Sequence, residues 1–83
     1  MTSRPHIHHR PIAAQARTHP GEWVYVGTYS GRASAMVTAN HIRTGRLVSY
    51  LPAGTYEAEV RGDERPEPEV WVMYVGVADG VEL

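Results

Sequence analysis

The spacing of apolar residues changes near residue 30, from the alternation of a strand to the spacing of a helix, about 3.6 residues per turn. Residues 23–29, WVYVGTY, are β-branched and aromatic and alternate between two faces, which is typical of a strand. Residues 30–44 are small and helix-compatible, with Ser30 suited to the N-cap and Gly45 able to end the helix with a positive φ. At about 3.6 residues per turn, one arc of this helix is apolar. That arc contains Ala35, Met36, Ala39 and Ile42.

The second half of the chain predicts two further strands. Residues 55–61 place apolar side chains at even positions and polar ones at odd positions, so we expect one face of this strand to be buried and the other to be exposed to solvent. Residues 70–77 are apolar on both faces, which is typical of a central strand. The proline- and glutamate-rich residues 62–69 predict an exposed loop. Residues 47–51 are compatible with an additional short strand.

The resulting order is β-α-β-β, which predicts an α+β fold. We expect an antiparallel or mixed sheet of three to four strands with one helix packed on it. Residues 11–17 are compatible with a short N-terminal helix. A single domain is predicted over 11–77, after a flexible arm at 1–10 and before a tail at 78–83. Because one helix covers only one face of a sheet, the other face should be left uncovered.

Composition excludes several classes of protein. The chain has no cysteine, which excludes disulfides, thiolate metal sites and cysteine nucleophiles. It shows no secretory signal and no apolar run of about twenty residues, so we expect a cytoplasmic protein that does not enter a membrane. No arrangement of nucleophile and base or of paired carboxylates appears, so we predict no enzyme. His6, His8 and His9 lie in a proline-rich arm that cannot fix ligand geometry, so we predict no metal or other cofactor.

Charge is distributed unevenly along the chain. Residues 1–50 contain six arginines and one carboxylate, whereas residues 51–83 contain two arginines and eight carboxylates. Arginine suits phosphate, and a basic arm beside a basic helix is suited to DNA. The candidate nucleic-acid-binding residues are Arg4, Arg10, Arg17, Arg32, Arg43 and Arg46. Two alternatives stay open: Arg43 and Arg46 also suit the negative end of the helix dipole, and the two charge types can simply form interleaved solvated faces.

An aromatic surface is the second candidate site. Alternation places three aromatic side chains of the first strand on one face, and two residues of the last strand join them if the register matches. These candidate interface residues are Trp23, Tyr25, Tyr29, Trp71 and Met73. Such a face can stack bases, hold a sugar, bind a protein or close a homodimer, and we predict a homodimer because uncovered aromatic faces are uncommon on monomers. The alternative is that this face is the core beneath the helix, or is covered by residues 11–18.

The first strand and helix resemble a known glycan-binding family. The sequence resembles the first half of the sporulation-related repeat domain at Val26-Gly27-Thr28-Tyr29-Ser30, then Arg32, Ala35, Ile42, Arg43 and Gly45. That resemblance implies a domain that binds peptidoglycan glycans on its sheet.

A broader resemblance covers most of residues 11–76. The sequence is similar to small uncharacterised proteins of actinobacteria and of their phages or integrated elements, at PGEWV (20–24), SA (34–35), IRTG (42–45) and PAGTYEA (52–58). This resemblance implies a mobile-element context.

Three functions therefore remain open from the sequence. The first is a small non-enzymatic regulatory or accessory protein of a phage or mobile element that binds DNA through its arginines. The second is a protein-binding module or inhibitor that acts through the aromatic sheet face or the acidic half. The third is a glycan-binding relative of the sporulation-related repeat domain.

Overall fold

The computed structural model describes residues 7–62 and 64–76. In chain order they form α1 (His9–Thr18), β1 (Val24–Thr28), α2 (Arg32–Thr44), a 3-10 turn (Val48–Tyr50), β2 (Tyr56–Arg61) and β3 (Glu69–Tyr74). This described part has a three-stranded antiparallel sheet, which confirms the predicted α+β class. No helix within it is long and apolar enough to cross a membrane.

The N-terminal helix α1 is longer than its predicted range of 11–17 and begins inside the residues predicted as an arm. Pro11 lies in its first turn, where the missing N–H removes no helical bond. Ala13 and Ala16 are fully buried, and their small side chains let α1 approach the sheet closely. Residues 1–6 of the predicted arm and the predicted tail at 78–83 lie outside the described residues.

Helix α2 follows its predicted course with two differences. Gly31 is the N-cap rather than Ser30, and no side chain caps this end. Gly45 ends the helix with a φ of 76°, as predicted. Met36 is 46% exposed, because it lies roughly 90° from the centre of the buried stripe at 100° per residue. The buried residues of α2 are Ala35, Ala39 and Ile42.

Residues 47–51 do not form the predicted short strand. The backbone N–H of Tyr50 donates to Leu47 O at 2.9 Å, and that of Leu51 donates to Val48 O at 3.3 Å. These local bonds close a turn in place of a strand ladder. The turn directs Tyr50 fully into the core and leaves Val48 77% exposed.

Strand β3 is central, as its sequence predicted, and pairs antiparallel with β1 on one side and β2 on the other. One face of the sheet packs against α1, which contacts β1 and β3, and against α2, which contacts β2 and β3. The buried residues on that face are Val24, Val26, Tyr56, Ala58, Val70 and Val72. No described element covers the opposite face.

Strand β1 contains a bulge that offsets its alternation. Tyr25 lies opposite Trp71 but Gly27 lies opposite Val70, so Val26 is an extra residue in the pairing. Val26 and Gly27 are both buried, and the alternation resumes one position later. The helix side above Gly27 is filled by Ile7, whose Cδ1 would lie 2.6 Å from a Cβ added there. A Cβ at this position would therefore force the end of the Ile7 side chain to shift.

Candidate functional site

The sheet surface opposite the helices carries aromatic and charged side chains side by side. Cross-strand pairing places Tyr25, Trp71 and Glu59 in one row across the three strands, with a second row that begins at Thr28. We call this surface the open face. Its residues are Trp23, Tyr25, Thr28, Glu57, Glu59, Arg61, Glu69, Trp71 and Met73.

Arg61 is the centre of a stacked cluster on the open face. Its guanidinium carbon lies 4.3 Å from the ring centroid of Trp71 and 5.5 Å from that of Trp23. Both distances are within the range of a cation–π interaction. Its Nε also forms an ion pair with the Glu59 carboxylate. One guanidinium therefore contacts two indole rings and a carboxylate at the same time.

Side-chain bonds fix the orientation of the other rings. The indole Nε1 of Trp71 donates to Glu69 Oε1 at 3.0 Å. The ring of Tyr25 meets the ring of Trp71 edge-on, with centroids 5.5 Å apart, and its hydroxyl is hydrogen-bonded to that of Thr28. Tyr25 is nevertheless 45% exposed. The open face thus presents rings whose rotamers are already restricted.

Tyr29 is not on the open face, so the prediction that grouped it with Trp23 and Tyr25 is wrong. The bulge at Val26 shifts the alternation, and Tyr29 packs against the core on the helix side. Burial raises the pKa of Tyr29 above its ordinary value, although a hydrogen bond with Thr38 of α2 acts in the opposite direction. The structure places the other four predicted interface residues, Trp23, Tyr25, Trp71 and Met73, on the open face.

The predicted nucleic-acid-binding arginines lie in the helix layer. Their described members are exposed: Arg10 and Arg17 on α1, Arg32 and Arg43 on α2, and Arg46 after α2. Arg4 lies outside the described residues. Two of these arginines also hold the fold together. Arg17 Nη1 donates to the hydroxyl of Tyr56 at 2.5 Å, and Arg43 Nη1 donates to Ala58 O at 2.6 Å.

Charge is segregated between the two sides of the described structure. The helix side carries the five arginines just named, and the open face carries Glu57, Glu59 and Glu69 with Arg61. Within the described residues, the arginines of the helix side and the three glutamates of the sheet therefore lie on opposite surfaces, while Glu22, Glu64, Arg65 and Glu67 lie in loops outside both. Among the described residues, the open face therefore carries a negative net charge, with three glutamates against one arginine.

The sequence did not predict a series of contacts between His9, Tyr50 and Tyr56, which lie between α1, the 3-10 turn and β2. Tyr50 is hydrogen-bonded to His9 Nδ1 at 2.8 Å, and its ring meets Tyr56 edge-on with centroids 5.1 Å apart. The Tyr56 hydroxyl donates to Ala13 O at 3.3 Å. Burial raises the pKa of Tyr50 and Tyr56 above the ordinary value of 10.0, with Arg17 opposing the rise at Tyr56. These groups join α1 to the sheet and belong to the core.

A groove of about 850 Å³ runs between the start of α1 and strand β1. It is lined by Ile7, His8, Pro11, Ile12 and the residues from Tyr25 to Ser30, and no carboxylate belongs to this lining in the described part of the chain. Within residues 7–62 and 64–76, no group of three or more metal-ligating side chains comes together. The open face is therefore the site with the most defined geometry.

Comparisons with protein-family models, curated proteins and solved structures find no match to this chain. The two resemblances described above stay predictions.

Proposed function

We propose that this chain is a small non-enzymatic protein-binding module that contacts its partner through the open face. The observation that carries the proposal is the cluster of Trp23, Trp71 and Arg61 on a sheet surface that no described element covers. Tryptophan, tyrosine and arginine are the residues most enriched at binding hot spots. Because Trp71 and Tyr25 are already held by bonds to Glu69 and Thr28 and by contact with each other, binding would cost these two rings little additional side-chain entropy.

The composition of the open face favours a protein over other ligands. Glu57, Glu59 and Glu69 would repel the phosphates of a nucleic acid. A sugar that stacked on Trp71 would have to displace the Arg61 guanidinium, and a neutral sugar would replace neither its cation–π contacts nor its ion pair with Glu59. Aromatic residues, arginine and methionine are enriched at protein interfaces, and the open face carries all three, with Met73 partly buried. The glycan-binding alternative is therefore the least supported of the three.

Replacing Trp71 by alanine is expected to weaken partner binding at least about tenfold, since one hot-spot tryptophan commonly accounts for that much. The matched control is Met36→Ala, which removes a large, 46% exposed side chain from the opposite side of the molecule. Wild type and both variants would each be immobilised and incubated with a cell lysate. The amount of each lysate protein that they retain would then be compared. A partner that Met36→Ala retains and Trp71→Ala does not supports the proposal. Near-ultraviolet circular dichroism and thermal melts would verify that both variants are folded, and equal retention by all three proteins would contradict the proposal.

DNA binding through the helix layer is a second candidate function. It is supported by the five exposed arginines that lie on the opposite side from the glutamates of the open face. The predicted context of a phage or mobile element would fit such a regulatory role.

The DNA candidate predicts a binding constant that falls steeply with salt. Replacing Arg10 and Arg46 together by glutamine should reduce the log–log salt slope by about one unit for each phosphate that is no longer neutralised. These two arginines suit the test because replacing Arg17 or Arg43 would also remove a bond to Tyr56 or Ala58. Arg61→Gln, on the open face, is the control and should leave the slope unchanged. Absence of any gel shift with duplex DNA at low salt would eliminate this function.

A further inference from the structure

We propose that the partner segment bound by the open face is cationic and that one of its arginine side chains enters the position now held by Arg61. This inference rests on the proposed function and names the partner chemistry of the same site. It is carried by the charge of the open face and by the geometry of the Arg61 cluster.

The described charges of the open face are not balanced internally. Glu59 is paired with Arg61, whereas Glu69 accepts a bond from the neutral indole of Trp71, which does not compensate its charge. Glu57 is exposed and lies opposite Met73. A surface of aromatic rings with uncompensated carboxylates attracts cationic segments and repels acidic ones.

The Arg61 cluster shows where a guanidinium fits. A guanidinium there lies over the ring of Trp71, near the ring of Trp23, and against the carboxylate of Glu59. This combination provides both cation–π contacts and a charge-assisted bond. The site is therefore complete for a ligand of the same chemistry.

Arg61 is placed so that it can leave this position. It is the last residue of the edge strand β2, and its side chain is 39% exposed. Rotation of its long side chain needs no movement of the sheet. An incoming arginine on a partner would gain the two rings and Glu59, while Arg61 would return to solvent.

A second copy of this chain fits the open face less well in a closed dimer. A two-fold dimer through this surface would bring the glutamates of both copies together, which disfavours the predicted homodimer in this arrangement. A second copy could instead offer the arginines of its helix layer, but that head-to-tail contact would generate an open chain of molecules. Sedimentation of the protein alone distinguishes these cases, and growth of large species would replace the proposed partner by the chain itself.

The test uses a short peptide of alternating arginine and glycine, with a glutamate–glycine peptide of equal length as the comparison. Binding would be followed by tryptophan fluorescence and by the indole N–H resonances of Trp23 and Trp71. Arg61→Gln should strengthen binding of the arginine peptide about threefold or more, because it vacates the cluster and makes the face more negative. The double variant Glu57→Gln/Glu69→Gln should weaken binding of the arginine peptide by a similar factor. Glu22 is an exposed carboxylate before β1, and Glu22→Gln should leave binding of the arginine peptide unchanged.

Several results would overturn the inference. Weaker peptide binding by Arg61→Gln, tighter binding of the glutamate peptide, or no binding of the arginine peptide by folded protein would each contradict a cationic partner. A partner that depends on Trp71 but not on Arg61, Glu57 or Glu69 would contradict this inference and leave the proposed function standing. A partner retained by Trp71→Ala would contradict the proposed function itself.

Discussion

Replacing Tyr50 by alanine is expected to lower the free energy of unfolding by about 3–5 kcal/mol, the usual cost of deleting a large buried aromatic side chain. The ring is fully buried, meets the rings of His9 and Tyr56, and is hydrogen-bonded to His9. Deletion would leave a cavity at the point where the 3-10 turn and α1 meet. A domain of this size is stable by roughly 5–15 kcal/mol, so much of its stability would be lost. Urea denaturation followed by circular dichroism measures the difference.

Two controls separate burial from other effects of the substitution. Tyr50→Phe keeps the ring and loses only the hydroxyl bond, so it should cost about 1–2 kcal/mol. Tyr25→Ala removes an equally large ring that is 45% exposed on the open face, and we expect a loss of about 1 kcal/mol or less. Equal losses for Tyr25→Ala and Tyr50→Ala would contradict the placement of Tyr50 in the core.

Features of the fold that depend on local periodicity could be predicted from the sequence. The alternation of residues 55–61 identified β2 with its buried Tyr56 and Ala58, and the double-sided apolar run after it identified β3 as central. Gly45 marked the end of α2 because only a glycine adopts its φ of 76° without strain. Each of these signals is contained within a few neighbouring residues.

Features that depend on tertiary pairing could not be predicted. The bulge at Val26 exists because of how β1 pairs with β3, and this pairing decides that Tyr29 turns toward the helices. The turn at Val48–Tyr50 and the start of α1 at His9 stabilise each other through the bond between His9 and Tyr50. Neither segment carries a local signal for that contact.

Only part of the candidate site could be predicted, because its remaining contacts also depend on tertiary pairing. Alternation correctly indicated that Trp23 and Tyr25 share a face, and that Trp71 and Met73 share one on β3. It also put Arg61 on the wet side of β2, but the stack of Arg61 on Trp71 joins two strands that are separated by a loop. Arg43 was interpreted as a phosphate or dipole contact, whereas its bond to Ala58 O requires knowledge of which strand lies beneath α2. Long side chains reveal their role only when the neighbouring strands are known.

A carboxylate placed on one face of β3 should destabilise the protein far more than one placed on the other, because only one face of the sheet is part of the core. Val72 is fully buried at the centre of the sheet, between Val24 and Ala58, while Met73 is on the open face. Val72→Asp should lower the free energy of unfolding by about 4 kcal/mol or more, since its carboxylate would be buried without a partner.

The matched control, Met73→Asp, introduces the same side chain one residue later. It should cost about 1 kcal/mol or less, mainly through repulsion from Glu57 on the opposing strand. Thermal and urea denaturation of both variants at neutral pH give the comparison. Acidification offers a second measurement: protonation of the buried carboxylate removes its charge, so Val72→Asp should recover part of its stability relative to Met73→Asp as the pH falls below neutrality. If Met73→Asp were instead the more destabilised variant, the open face would be the core, and no site for a partner would remain on the sheet.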